Sequence, residues 1–363
     1  MANVLDLKRR IRSVKNTRQI TRAMKMVSAA KLRRAQERAF AARPWAQMLA
    51  SVLESLAHRT DVYDSESGDV MHPLLVEREE KNVLLIVVAG EKGFAGAFNS
   101  NIARAADHFI AERTAMGQNM DIEPVGRKAR DFYRRRYAEA VYEQKTVHYD
   151  NDLSTHYETI RHRAQQVEVT GNHTGMLLKL EFNAVDDIGR SVIERYSRAE
   201  IDSVYIVYNE FKSVLSQRVV VEKLLPIRKL GSHEITAAEE MTLEEREEAA
   251  HAAQTAGISL NEPVENLFEQ EAKKFGTSEV DYIYEQSPET LLQHLMPRYV
   301  TTQIFHAMLE SVAAEHAARM TAMDNATNNA GEMIDAYTLQ MNRVRQAAIT
   351  KEIIEIVSGA AAL

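Results

Sequence analysis

The chain has 363 residues, 45% hydrophobic and 27% charged, with a net charge of −7. It contains no cysteine, which excludes disulfides, thiolate metal sites and cysteine nucleophiles. No run reaches the ~18 apolar residues of a membrane-spanning helix, and the basic start MANVLDLKRRIRSVKN lacks the apolar core of a secretory signal.

Residues 4–58 predict one long helix. Val4, Leu7, Ile11, Val14, Thr17, Ile20, Met24 and Val27 recur at steps of three and four, a narrow stripe of the kind that forms a coiled-coil seam. The same stretch is strongly basic: residues 1–43 hold 13 Lys and Arg against Asp6 and Glu37, so the net +11 there leaves −18 for the remainder. Such asymmetry points to an acidic partner. The readings open at this point are a solvated coiled-coil face, a protein contact and a nucleic-acid contact.

Asn82–Ala89 (NVLLIVVA) is a continuous apolar run and reads as a buried parallel strand. Helix is predicted over 102–116, 128–137 and 188–198, and strand over 120–125, 140–148, 204–208 and 219–225. Alternating strand and helix implies an α/β fold with a mostly parallel sheet. Two stretches fit this scheme poorly: residues 155–183, and the acidic 231–281 with 13 Asp and Glu against three basic residues. Within the latter, TLEEREEAAHAA at 242–253 opens on a Thr and Glu pair spaced as a capping box and should be helical. From Pro288 a helical pattern runs to about 357, with Pro297 as a possible kink. Around Thr321, Asn325, Asn328 and Asn329 its seam is small and polar. The two terminal helices are therefore expected to pair as a long antiparallel coiled coil beside a central Rossmann-like α/β domain. The expected divisions are 1–60, 78–230 (interrupted near 155–183), 231–281 and 286–363.

The turn GEKGFAGAFN places Gly90, Gly93 and Gly96 between the first strand and a helix. That spacing is neither the dinucleotide fingerprint nor a P-loop, so turn geometry and close packing are the favoured reading over a phosphate cradle. No catalytic, cofactor or metal constellation emerges. His156, His162 and His173 form no ligand spacing, and His294, His306 and His316, spaced 12 and 10 apart on a helix, do not converge on one metal.

The stretches IRSVKNTRQITRAMKMVSAAKLRRAQ, GEKGFAGAFN, VYIVYNEFKS and the block from PRYVTTQ to the C-terminus closely resemble the gamma subunits of rotary, F-type ATP synthases. The resemblance implies a non-catalytic rotor subunit without cofactor. Its terminal helices would form a shaft inside a ring of three alpha and three beta subunits, where beta carries the active sites. Its α/β domain would sit with the epsilon subunit on the membrane c-ring, on the cytoplasmic face of a bacterial inner membrane. The shaft would pass torque between proton flow and ATP synthesis, with no nucleic acid involved. Met24, Lys25, Arg33 and Arg34 match the segment that faces acidic hinge segments of beta. Arg345 and Gln346, with Thr350 and Glu352 after them, match the family's coupling contacts. The resemblance also implies that 155–183 and 231–281 are insertions, the second decorating the lower stalk.

Overall fold

The computed structural model describes residues 4–59, 72–147, 156–227, 234–258 and 284–361. The expected strand residue His148, and the parts of the acidic stretch outside 234–258, lie outside the described residues.

Helix α1 runs Val4–Arg59 and the last helix, α6, runs Pro288–Ala361, 56 and 74 residues respectively. At ~1.5 Å per residue α6 is roughly 110 Å long. Pro44 and Pro297 lie within these helices and end neither. The pair is antiparallel: Thr327 Oγ1 meets Thr21 Oγ1 at 2.8 Å, Lys25 meets Asp324, and Arg43 lies 3.6 Å from Glu310.

The expected seam is only partly the real one. Leu7 and Ile11 are buried, but Ile20 and Val27 are 59% and 57% exposed, and Thr17 is exposed too. The buried line instead passes through Thr21, Lys25, Ser28, Ala29 and Leu32. On α6 it passes through Met320, Met323, Asp324, Ala330 and Ile334. Thr321, Asn325, Asn328 and Asn329 sit off this line, half-buried or exposed. On α1 periodicity alone selected the more apolar stripe, whereas tertiary packing buries the mixed one beside it; on α6 the expected seam was small and polar, and the buried line is the more apolar one.

The chain between the long helices forms a seven-stranded sheet: β1 (Asn82–Val88), β2 (Asn119–Val125), β3 (Ala138–Glu139), β6 (Val167–Val169), β7 (Ser203–Phe211), β8 (Gln217–Leu225) and β9 (Glu234–Glu240). Its order is β3-β6-β2-β1-β7-β8-β9. The first five strands are parallel, and β8 and β9 extend the sheet antiparallel. Strand β1 sits at the centre with its whole apolar run buried, as a strand covered on both faces must be. Val83, Leu85 and Val87 pack with α2 (Phe98–Ala115) and α3 (Arg127–Tyr133). Leu84, Ile86 and Val88 pack with α4 (Phe182–Ser197), the second half of α1 and the first third of α6.

Two expectations are corrected here. The strand expected near 140–148 does not join the main sheet; β4 (Val141–Val147) pairs antiparallel with β5 (His156–His162) as a separate hairpin. Nor is 155–183 wholly an added piece, because β6 lies inside the sheet between β3 and β2.

The hairpin is fastened to the sheet by charge. Asp121 on β2 is fully buried and accepts hydrogen bonds from Arg161, Arg163 and Arg195. Arg161 also donates to buried Glu168 on β6 at 2.7 Å. Burial alone would raise the Asp121 carboxyl pKa. The hydrogen bonds and charge of Arg161, with the charges of Arg195 and Arg163, outweigh burial and hold it below its ordinary value.

Candidate functional site

The strand-to-helix turn after β1 opens at the C-terminal edge of the sheet, beside the point where the strand order reverses between β1 and β7. In doubly wound folds a ligand occupies that crevice. Here α6 occupies it. Ser311 Oγ lies 3.5 Å from Val88 O, and Arg319 Nε donates to Gly93 O at 3.2 Å while pairing with Glu315. A Cβ on Gly90 would lie 2.8 Å from the Glu315 carboxylate. A carboxylate thus stands where a phosphate would have to enter. The tight packing expected at Gly93 belongs to Gly90, since a Cβ on Gly93 would meet nothing closer than the Lys128 side chain at 3.9 Å. Gly96 serves the turn through its φ of +54°.

Where the paired helices leave the sheet, a third helix joins them. Helix α5 (Leu243–Ala256) begins with the expected capping box, Thr242 and Glu245 bonding each other's backbone N–H, and ends at Gly257 in the left-handed conformation. Its buried Ala249, Ala252 and Ala253 join one apolar cluster with Ala29, Leu32, Ala317 and Met320 of the long helices. Polar contacts surround that core. Lys25 Nζ donates to Asp324 Oδ1 and to Thr255 Oγ1, each at 2.5 Å, and His251 Nδ1 lies 2.8 Å from Asp324 Oδ2. Asn325 donates to Glu248 at 2.7 Å, and Arg33 donates to Gly257 O at 2.6 Å. The acidic stretch was expected to decorate the lower stalk, the α/β domain; β9 does widen the sheet of that domain, and α5 lies along the coiled coil. Asp324, His251, Thr255 and Gly257 were not singled out from sequence. Their only signals there were the capping box and the i, i+3, i+4 alanines.

The expected contact residues fall into two groups. Met24 is half-buried, and Arg34 is exposed on α1. Lys25 points inward, and Arg33 is engaged by the end of α5. Arg345, Gln346, Thr350 and Glu352 are all exposed on α6, with the Thr350 hydroxyl donating to Gln346 O at 2.9 Å. The register that sets Lys25 opposite Asp324 carries Val4 to about residue 345, so the rest of α6 projects beyond α1. Met24 and Arg345 are therefore separated by roughly 30 Å along the rod, and the fold brings neither group to the other. The projecting end carries Ile349, Ile353, Ile354, Ile356 and Val357, 48% to 71% exposed.

His316 lies on α6 beside the glycine turn. Burial, then the charges of Arg319 and Lys31, push its pKa down to about 4 from 6.5. The folded chain holds it neutral, with Arg319 Nη1 3.2 Å from Nδ1, while the unfolded chain protonates it below pH 6.5. Stability is therefore full above 6.5 and falls as pH drops from 6.5 towards 4. At pH 5 the loss is about 2 kcal/mol. Chemical denaturation at pH 7.5 and pH 5 should show this drop in the native chain and a smaller one in His316→Gln.

The family described as ATP synthase matches residues 3–363. The chain is 43% identical over 362 residues to the ATP synthase gamma chain of Solibacter usitatus, covering 100% of this chain and 99% of the relative. It is 40% identical over 363 residues to the ATP synthase gamma chain of Pelotomaculum thermopropionicum, covering all of both. Both poorly fitting stretches, 155–183 and 231–281, lie within those aligned spans. Among solved structures it resembles in fold a chain of the Euglena gracilis mitochondrial ATP synthase OSCP/F1/c-ring assembly, rotational state 3. That likeness has a TM-score of 0.51 at 18% identity, covering 99% of this chain and 94% of the other.

Proposed function

The chain belongs to the ATP synthase gamma family, and from that premise we propose that it is the central-stalk shaft that carries torque between a proton-driven membrane c-ring and a catalytic ring of three alpha and three beta subunits. The observation that carries this reading is the apolar surface that the coil leaves exposed. Its inner line is apolar at Leu7, Ile11, Ala330 and Ile334, yet Ile20, Met26, Val27, Met333 and Leu339 also face outward. The tip of α6 adds five more exposed aliphatic side chains. Exposed apolar surface of this extent marks an interface. An enclosing ring covers it, and aliphatic contacts without directional bonds let the rod turn within it.

In this reading the catalytic sites lie on beta, and this chain holds neither nucleotide nor cofactor. The crevice filled by α6 supports that. The sheet body would rest with the epsilon subunit on the c-ring, at the cytoplasmic face of the membrane. Arg345, Gln346, Thr350 and Glu352 form one belt of coupling contacts near the tip. Met24 and Arg34 contribute to a second belt lower down, with Arg33 shared between that belt and α5. Lys25 acts from inside the rod by fixing the helix that carries its neighbours.

The test is co-purification followed by a coupling measurement. The tagged chain should bring down alpha and beta at one copy to three of each. Arg345 is exposed and guanidinium groups make strong, directional bonds to carboxylates, so Arg345→Ala should lower ATP synthesis several-fold with the complex still assembled and thermal stability unchanged. Unaltered synthesis and torque in that variant would remove Arg345 from the coupling belt. Failure to recover alpha and beta would overturn the shaft reading itself.

A further inference from the structure

We propose that β9 and α5 form a bracket that splints the neck of the shaft, the place where the coiled coil leaves the sheet. The proposal rests on the shaft reading and gives the acidic stretch a mechanical part in it.

Two long helices lying side by side bend most easily out of the plane that contains both axes. A third helix stiffens that direction if it lies in the groove between them and is fixed to each. Helix α5 meets both conditions. It holds α1 through Thr255 on Lys25 and through Gly257 O on Arg33, and it holds α6 through His251 on Asp324 and Glu248 on Asn325. Its three buried alanines let the backbones approach closely.

The other end of the bracket is anchored in the sheet. Strand β9 pairs with β8 from Arg218↔Glu240 to Lys223↔Glu234. Met241 N donates to Gln217 O at 3.4 Å immediately before the helix cap, and Arg246 pairs with Glu240 at 2.9 Å. Force on the coil therefore reaches the sheet by two routes, directly along α6 and indirectly through α5 and β9. A surface insertion that was merely tolerated would need neither a self-capped helix nor contacts to both rods. The acidic outer residues Glu244 and Glu247 remain exposed and play no part in the bracket.

The test is Ala252→Glu, which places a charge at a fully buried docking position, with Glu247→Ala as the outer-face control. Hydrogen exchange on the full chain reads the first consequence. Amides of 17–35 and 317–331 should exchange about tenfold faster in Ala252→Glu and unchanged in Glu247→Ala. Bead fluctuation on the assembled complex reads the second, a wider angular spread at stall. If Ala252→Glu fails to fold, the milder pair His251→Ala with Thr255→Val gives the same readouts. Unchanged exchange and unchanged angular spread overturn the splint. Faster ATP hydrolysis with unchanged exchange also overturns it and makes α5 a brake. The exchange result stands whether or not the chain assembles with a ring, so failure of the shaft reading is told apart from failure of the splint.

Discussion

Replacing Asp324 by alanine is expected to destabilise the chain by about 3–5 kcal/mol, the cost of leaving a buried charge without its partner. Lys25 and Asp324 side chains are only 8% and 5% exposed. After the substitution the Lys25 ammonium keeps the Thr255 hydroxyl and no carboxylate, while His251 loses its acceptor. Chemical denaturation measures the loss. The companion experiment is the double replacement Lys25→Met with Asp324→Leu. Apolar side chains of similar volume can replace a buried ion pair at little cost or with a gain, so the double variant should recover most of the stability. It also decides how Lys25 works. If Lys25 acts by holding the rod together, the double variant should assemble and synthesise ATP almost normally. If Lys25 turns outward to meet the ring, synthesis should fall even though stability returns.

The second large effect lies in the sheet, on β2. Asp121→Ala should also cost about 3–5 kcal/mol, because Arg161, Arg163 and Arg195 would face one another without the buried carboxylate they share, leaving Glu168 on Arg161 and the longer contacts of Arg195 to Glu123 and Glu200. The released element is the β4–β5 hairpin, so its amides should exchange faster and limited proteolysis should cut there first. In the native chain the Asp121 pKa is depressed from its ordinary 3.8. Its stabilising contribution is therefore fully present above 3.8 and is lost as pH falls through the lower, folded value. Native chain and Asp121→Ala should differ most near neutrality and converge in strong acid. A constant difference down to pH 2 would show that the arginines are held by other means.

Much of the architecture was legible because it rests on local pattern. A seven-residue apolar run such as VLLIVVA (83–89) is too short for a core helix and too apolar for an exposed strand. The Thr242 and Glu245 spacing caps a helix wherever that helix packs. The two glycine-poor ends could only be long helices. The errors share one cause. Ile20 and Val27 looked like seam residues and face outward, and Lys25 looked like a surface cation and lies inside. The strand at 141–147 looked like sheet and forms a separate hairpin. For Lys25 and for β4 the deciding contact comes from another segment of the chain: Asp324 on α6 for Lys25, and β5 for β4.

Element types, the antiparallel pairing of the ends, the absence of thiol chemistry and the family were all readable along the chain. These follow from composition, periodicity and motifs, which act over one or two turns or are carried by long matching stretches. Which stripe of each rod is buried became visible in the folded structure alone. That structure also showed that α6, with the Glu315 carboxylate, fills the crevice behind Gly90, and that part of the acidic stretch is bound to the neck of the shaft. Burial and ion pairing depend on what lies opposite a side chain, and that is fixed by the packing of distant segments and written in neither segment alone.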